Sequence, residues 1–230
     1  MPKDIGNAIE VALHIARESG KPAVIGEIPV AVGLVCFDMD GTIIKMETIN
    51  TVAGDAGIGR EMENLTFRAM GGAEDFKENF RRRVRMLKNV PVNLVQGVAS
   101  RLVWADGLET LMQTLRSRKI KTAIITGNFN VFGEVVKERF GFDYVFTSVP
   151  EIKGDLLTGE IAGDVIDANA KVAIMKKLCA QLDVPLENTI AVGDGANDVP
   201  MLAAAGVAVV YNAIKAETGI DDVILPLLDV

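Results

Sequence analysis

The chain has 230 residues, enough for one large domain or for a domain carrying an insertion. Hydrophobic residues make up 49% of it against 24% charged, which excludes a disordered chain, and a net charge of −7 excludes the broad basic face that nucleic acid requires. Two cysteines, Cys36 and Cys179, form no disulfide framework, no run reaches the ~18 apolar residues of a membrane span, and the N-terminus does not read as a signal peptide, so a cytoplasmic protein is expected.

The first element is a helix over residues 4–19, closed by Ser19-Gly20-Lys21-Pro22. Its stripe of Ile5, Ile9, Leu13 and Ile15-Ala16 is that of a docked helix or a dimer contact, so a structural role is expected, and His14 lies on its surface. An apolar strand over residues 30–37 follows and ends at Asp38. From Glu47 to Val103 the pattern is helical, broken at Gly57-Ile58-Gly59, Gly71-Gly72 and Asn89-Val90-Pro91, which predicts four short helices. Alternation then resumes: helix 108–119, strand 121–125, helix 131–140, strand 144–147, a hairpin over 152–161 turning at Lys153-Gly154-Asp155, helix 169–182, strand 189–192, helix 198–205 and strand 206–210. Strands alternating with helices imply an α/β fold, a doubly wound parallel sheet. The helical block interrupts it as an inserted cap. Expected domains are therefore an N-terminal helical extension (1–29), a core (30–45 and 105–230) and a helical cap (46–104).

The chemistry is concentrated where strands end. Asp38 and Asp40, two residues apart, point to one face and repel unless a hard cation such as Mg²⁺ sits between oxygens. An aspartate can also be a phosphoryl-accepting nucleophile. A polar turn or a fragment of a calcium loop is the plainer alternative. At Thr126-Gly127-Asn128, a hydroxyl and backbone N–H groups can cradle an anionic oxygen, or can merely cap the next helix. Asp194, Asn197 and Asp198, among Gly193 and Gly195, suit a metal site built with the first pair. Lys171 opens a helix, a place where lysines are ordinarily solvated. With a single histidine, placed on a helix surface, neither a Ser-His-Asp triad nor a histidine-rich zinc site is expected.

In spacing, these four stations resemble the haloacid dehalogenase superfamily of phosphotransferases over Val32 to Val210, whose motifs sit on neighbouring strand ends and use Mg²⁺. The resemblance implies Asp38 as nucleophile and Asp40 as general acid/base whose backbone carbonyl meets the metal. It implies Thr126, with Gly127, on phosphoryl oxygens, and Lys171 neutralising charge. Asp194 would be a Mg²⁺ ligand, Asp198 a support of the metal shell, and Asn197 a phosphate contact. The inserted block, through Glu47, Ala69-Met70-Gly71-Gly72, Asp75-Phe76 and Arg81-Arg82-Arg83, is similar to that of phosphoserine phosphatases. There Glu47 would face the substrate ammonium and Arg83 its carboxylate, under an apolar lid of Met70 and Phe76. The charge logic is independent of the resemblance: an amino-acid phosphate needs one acid, one bidentate base and a phosphate cradle. Glu47 can equally be a helix-terminal acid, and Arg83 part of a solvated face. Three positions depart from the pattern: Gly41 and Thr126 stand where serine is usual, and Asn128 stands where glycine is usual and is expected to intrude on the substrate. The expected function is Mg²⁺-dependent hydrolysis of a small phosphate ester, with phosphoserine leading. The alternatives are another small-metabolite phosphatase or phosphotransferase, and a non-catalytic Mg²⁺- or phosphate-binding regulator.

Overall fold

Along the central strand, β2 (Leu34–Phe37), every side chain is buried, and they alternate between two cores. Val35 and Phe37 face one, and Leu34 and Cys36 face the other. A strand buried on both faces needs helices on both sides. The computed structural model describes residues 3–27, 29, 31–70 and 76–228. It places a seven-stranded sheet in the order β1-β7-β6-β2-β3-β4-β5. The other strands are β1 (Ala23–Gly26), β3 (Lys121–Phe129), β4 (Tyr144–Lys153), β5 (Leu156–Ala162), β6 (Thr189–Gly193) and β7 (Val207–Val210). β7, β6, β2, β3 and β4 run parallel, while β1 pairs antiparallel with β7, and β5 with β4. The doubly wound parallel sheet is thus present with an antiparallel strand at each edge.

Helices α1 (Lys3–Ser19), α8 (Ala168–Leu182) and α9 (Val199–Ala204) cover one face; α6 (Leu108–Ser117), α7 (Asn130–Phe140) and α10 (Ile220–Ile224) cover the other. The stripe of α1 is buried within the chain at Ile9, Ala12, Leu13 and Ala16; Ile15, expected on it, is 46% exposed because Ala12 takes the inward position. His14 is exposed, and both cysteines are buried and free.

Between β2 and α6 lie four helices: α2 (Thr48–Asp55), α3 (Gly59–Met70), α4 (Phe76–Met86) and α5 (Val92–Ala99). The breaks after α2 and after α4 fall where Gly57 and Pro91 stand in the sequence. The leading and returning chains of this insertion lie side by side, with Lys45 N–H on the Val103 carbonyl (2.7 Å) and Ala105 N–H on that of Ile43 (3.0 Å). Its far side is bonded to the β4–β5 hairpin through Asn89 N–H to the Leu157 carbonyl (2.8 Å) and Leu157 N–H to that of Val90 (3.0 Å).

Several boundaries differ from the sequence reading. The strand expected over 30–37 is four residues long, Leu34–Phe37, because residues 31–33 approach it as irregular chain. β3 continues to Phe129 through a register irregularity after Ile125, so Thr126-Gly127-Asn128 belongs to the strand end and not to a helix cap. β4 is ten residues long and forms one arm of the expected hairpin, and β1 was not anticipated. The last polar station opens as a 3-10 turn, Ala196–Asp198, before α9 begins.

Candidate active site

The sheet brings β2, β3 and β6 side by side, so their carboxyl ends share one mouth, where chain crossovers diverge and open α/β sheets hold ligands. Asp38 follows β2, Thr126 lies near the end of β3, and Asp194 follows β6. Asp38, Asp194 and Asp198 are all buried and offer oxygens within 4.8 Å of one another. Lys171, in the first turn of α8, is fully buried. Its Nζ bonds Asp38 Oδ1 at 2.5 Å and Asp198 Oδ1 at 2.6 Å. The solvated reading of this lysine is therefore wrong, and the reason is tertiary: α8 starts against the mouth of the sheet.

Asp198 accepts three hydrogen bonds. Beyond Lys171, its Oδ2 accepts the N–H groups of Asp194 (3.2 Å) and Gly195 (2.9 Å). It therefore builds the loop and anchors the lysine. Gly41 explains its own identity: its φ is +72°, and a Cβ there would lie 2.4 Å from Asp194 Oδ2. Thr42 Oγ1 approaches Asp194 Oδ1 at 3.4 Å, and the Asn212 amide donates toward Asp194 Oδ2 at 3.5 Å.

The electrostatics are those of a site short of positive charge. Burial, and then Asp198, push Asp38 up to about 6 despite the opposing pull of Lys171. Asp194 is raised well above the usual carboxylate range by burial, then by Asp198 and Asp38. Burial alone would lower Lys171, but Asp198 and Asp38 outweigh it and hold its ammonium firmly charged. One lysine among three carboxylates leaves an excess of negative charge. An all-oxygen donor set of this kind fits a hard divalent cation.

Asp40 is held differently. Its Oδ2 accepts three hydrogen bonds: Thr48 N–H (2.7 Å), Thr48 Oγ1 (2.8 Å) and Asn128 Nδ2 (2.7 Å). Its Oδ1 is buried and has no hydrogen-bond partner among the described residues. Burial, then Glu47, raise its carboxyl well above the usual range, so a proton is readily kept there. Above this group, Arg83 is buried at 6% exposure on the inward face of α4 with Phe80 and Val84, and Leu87 just beyond the helix is buried too, while Arg82 and Arg85 are exposed. Glu47 precedes α2 without capping it. Burial raises Glu47 and lowers Arg83, and the opposite charge of each resists the other's shift.

The chain has known counterparts. Residues 32–206 match the family model of haloacid dehalogenase-like hydrolases. A phosphoserine phosphatase of Archaeoglobus fulgidus is 40% identical over 180 residues, 78% of this chain and 52% of its own length. That of Methanocaldococcus jannaschii is 36% identical over 180 residues, 78% of this chain and 85% of its own. A solved phosphoserine phosphatase, trapped as a phospho-aspartyl intermediate analogue, superposes with a TM-score of 0.79 at 32% identity, over 86% of this chain and all of that one. The chain belongs to the haloacid dehalogenase-like hydrolases. It spans about half the length of the Archaeoglobus relative.

Within this hydrolase the expected residues fall into three groups. Asp38, Asp40, Lys171, Asp194, Asp198 and Thr126 are buried or nearly so around the mouth, and Glu47 and Arg83 lie close enough for each to act on the other's charge. Asn197 lies half-buried on the 3-10 turn, and Gly127 sits on the β3 end between Thr126 and Asn128. Met70 ends α3 and Phe76 begins α4, but their side chains, with residues 71–75, lie outside the described residues.

Asn128 has partners of its own in the site: Nδ2 serves Asp40 and Thr48 Oγ1 (2.6 Å), and Oδ1 accepts Phe129 N–H at 2.7 Å. Thr48 and Asn212 were missed. Their only sequence signal is position: Thr48 opens a helix eight residues after Asp40, and Asn212 follows the last parallel strand.

Proposed function

We propose that this hydrolase is a Mg²⁺-dependent phosphomonoesterase that dephosphorylates phosphoserine through an aspartyl-phosphate intermediate, with residues 46–104 as a cap over a core of 30–45 and 105–230. The observation that carries the reading is Asp38: a buried carboxylate at the mouth of the central strand, clamped by a buried lysine beside two further carboxylates. A binding module has no use for such a held, poised oxygen.

Asp38 attacks phosphorus in line, and the bond to the serine oxygen breaks. Asp40, kept protonated by burial, delivers a proton from Oδ1, the oxygen that no described protein donor occupies. Once ionised, the same carboxylate takes a proton from the water that hydrolyses the aspartyl phosphate, and serine and phosphate leave. Lys171 fixes the attacking carboxylate and offsets charge gathered near it. Thr126 Oγ1 accepts Asn128 N–H at 3.2 Å, which leaves its own proton for a phosphoryl oxygen; Gly127 and Asn197 complete that cradle. Mg²⁺, held by Asp38, Asp194 and the Asp40 backbone carbonyl, with Asp198 bracing the loop, would screen charge between nucleophile and phosphate. Glu47 takes the ammonium and Arg83 the carboxylate of the amino acid, and Met70 and Phe76 form the lid.

Phosphate release from phosphoserine, phosphothreonine, phosphoethanolamine and sugar phosphates, with Mg²⁺ and after chelation, tests this. Phosphoserine should lead and chelation should abolish release. No release from any ester with Mg²⁺ present would point to a regulator, and preference for a sugar phosphate would remove the substrate assignment.

A further inference from the structure

Helix α1 lies outside the matched stretch of 32–206, and its apolar face accounts for its docking but not for Arg17. Arg17 stands in its last turn, beside buried Ala16. The guanidinium Nε and Nη2 are both buried, and neither has a hydrogen-bond partner among the described residues. Donors buried in this way are costly unless an anion meets them.

The end of α1 reaches the catalytic edge of the sheet. Ala23, in the strand that follows, pairs with Val210 at the carboxyl end of β7. Gly20 lies so close to the loop after β7 that a Cβ on it would sit 2.2 Å from the Lys215 carbonyl. Lys215 N–H bonds Asn212 Oδ1 at 3.2 Å, and the Asn212 amide is the one that reaches Asp194. The charge of Arg17 is felt by two carboxylates on different elements, Asp194 after β6 and Glu47 before α2. Its buried guanidinium at the end of α1 and the carboxylates it acts on thus lie at the same end of the sheet, and Arg83 acts on Glu47 as well.

We propose that Arg17, carried in by the N-terminal helix, is a binding residue of the active site whose fork takes an oxyanion of the phosphorylated substrate. This rests on the phosphomonoesterase reading and extends it. Two guanidiniums and one carboxylate match a ligand that presents two anionic groups and one ammonium.

The test uses the full chain with Arg17→Met, which keeps the apolar stem, and Arg17→Lys, which keeps the charge but not the fork. KM and kcat are measured on phosphoserine and phosphoethanolamine, orthophosphate affinity by calorimetry, and Tm alongside. Arg17→Met should raise KM for phosphoserine roughly 10-fold or more with kcat changed less than about threefold, and Arg17→Lys should fall between. A loss shared by phosphoethanolamine and orthophosphate would identify the phosphate as the group held; a loss confined to phosphoserine would identify the carboxylate. Unchanged KM values and unchanged orthophosphate affinity would overturn the proposal, with or without a fall in Tm, since a strut between α1 and Glu47 affects stability alone. If Arg17→Met fails to fold, Arg17→Lys carries the same comparison. A wild-type protein that releases no phosphate from any ester would overturn the phosphatase reading instead, and orthophosphate affinity would still decide Arg17.

Discussion

Asn128→Ala separates two opposite views of one residue. If its side chain obstructed the substrate, removing it would raise activity. The structure instead makes Asn128 one of three donors on Asp40 Oδ2, at 2.7 Å. A hydrogen bond to the charge that develops on Asp40 as its proton leaves contributes about 1.5–3 kcal/mol, which corresponds to roughly a 10- to 100-fold change in rate. The mutation also strips Phe129 N–H of its 2.7 Å acceptor, so a modest fall in Tm should accompany it. The assay is kcat/KM on phosphoserine and on p-nitrophenyl phosphate, because that ratio reports only steps up to the first irreversible one. A serine alkoxide cannot leave without a proton, whereas a nitrophenolate can. Phosphoserine should therefore lose roughly 10- to 100-fold and the aryl ester less than about threefold. An increase on phosphoserine, or an equal loss on both esters, would refute this role for Asn128.

Three further outcomes follow from the geometry. Gly41→Ala forces a Cβ into left-handed backbone and to within 2.4 Å of Asp194 Oδ2, so it should lower stability by about 1–3 kcal/mol and weaken Mg²⁺ binding in calorimetry; a Tm and affinity equal to wild type would contradict this. Arg83→Ala should reduce kcat/KM for phosphoserine by roughly 10² or more, from the ~2–5 kcal/mol of a desolvated charge left unpaired, and should do far less to phosphoethanolamine; equal losses would assign Arg83 to folding of the insertion. In metal-free protein, Asp38 rises from 3.8 unfolded to about 6 folded, so between those values the folded chain holds more protons than the unfolded one. Stability at that site is therefore present at low pH and lost as pH rises through 6, by up to about 3 kcal/mol. Tm should fall between about pH 4 and 6 without metal, and saturating Mg²⁺ should remove the fall; a Tm that is flat without metal would contradict the charge excess.

What the sequence showed and what it hid divide along physical lines. The four helices between β2 and α6 were legible because glycine and proline punctuate them, and the β4–β5 hairpin because Lys153-Gly154-Asp155 marks its turn. The catalytic strand ends were legible because an apolar run that stops abruptly at Asp38 or Asp194 sets a carboxylate where a buried strand reaches the mouth of the sheet. β1 was hidden: four residues at a sheet edge, half of them exposed, carry no alternation long enough to read. The burial of Lys171 was hidden because its partners lie 133 and 27 residues away. For the same reason the bond from Asn128 to Asp40 was hidden, since the two are 88 residues apart. Arg83 sits between readings: its i, i+3, i+4 spacing with Phe80, Val84 and Leu87 marks the inward face, but a triple arginine run masks which member turns in.

The most direct measurement is where the phosphoryl group goes. Wild-type protein is mixed with phosphoserine and Mg²⁺, quenched in acid within a turnover, digested, and mapped by mass spectrometry after borohydride reduction of acyl phosphates. Aspartyl phosphate should appear at Asp38 alone, with reduction converting that residue to homoserine, and Asp38→Asn should show neither the adduct nor phosphate release while keeping the wild-type Tm within a few degrees. Rapid phosphate release with no trapped adduct at Asp38, or near-normal turnover by well-folded Asp38→Asn, would contradict covalent catalysis at this residue.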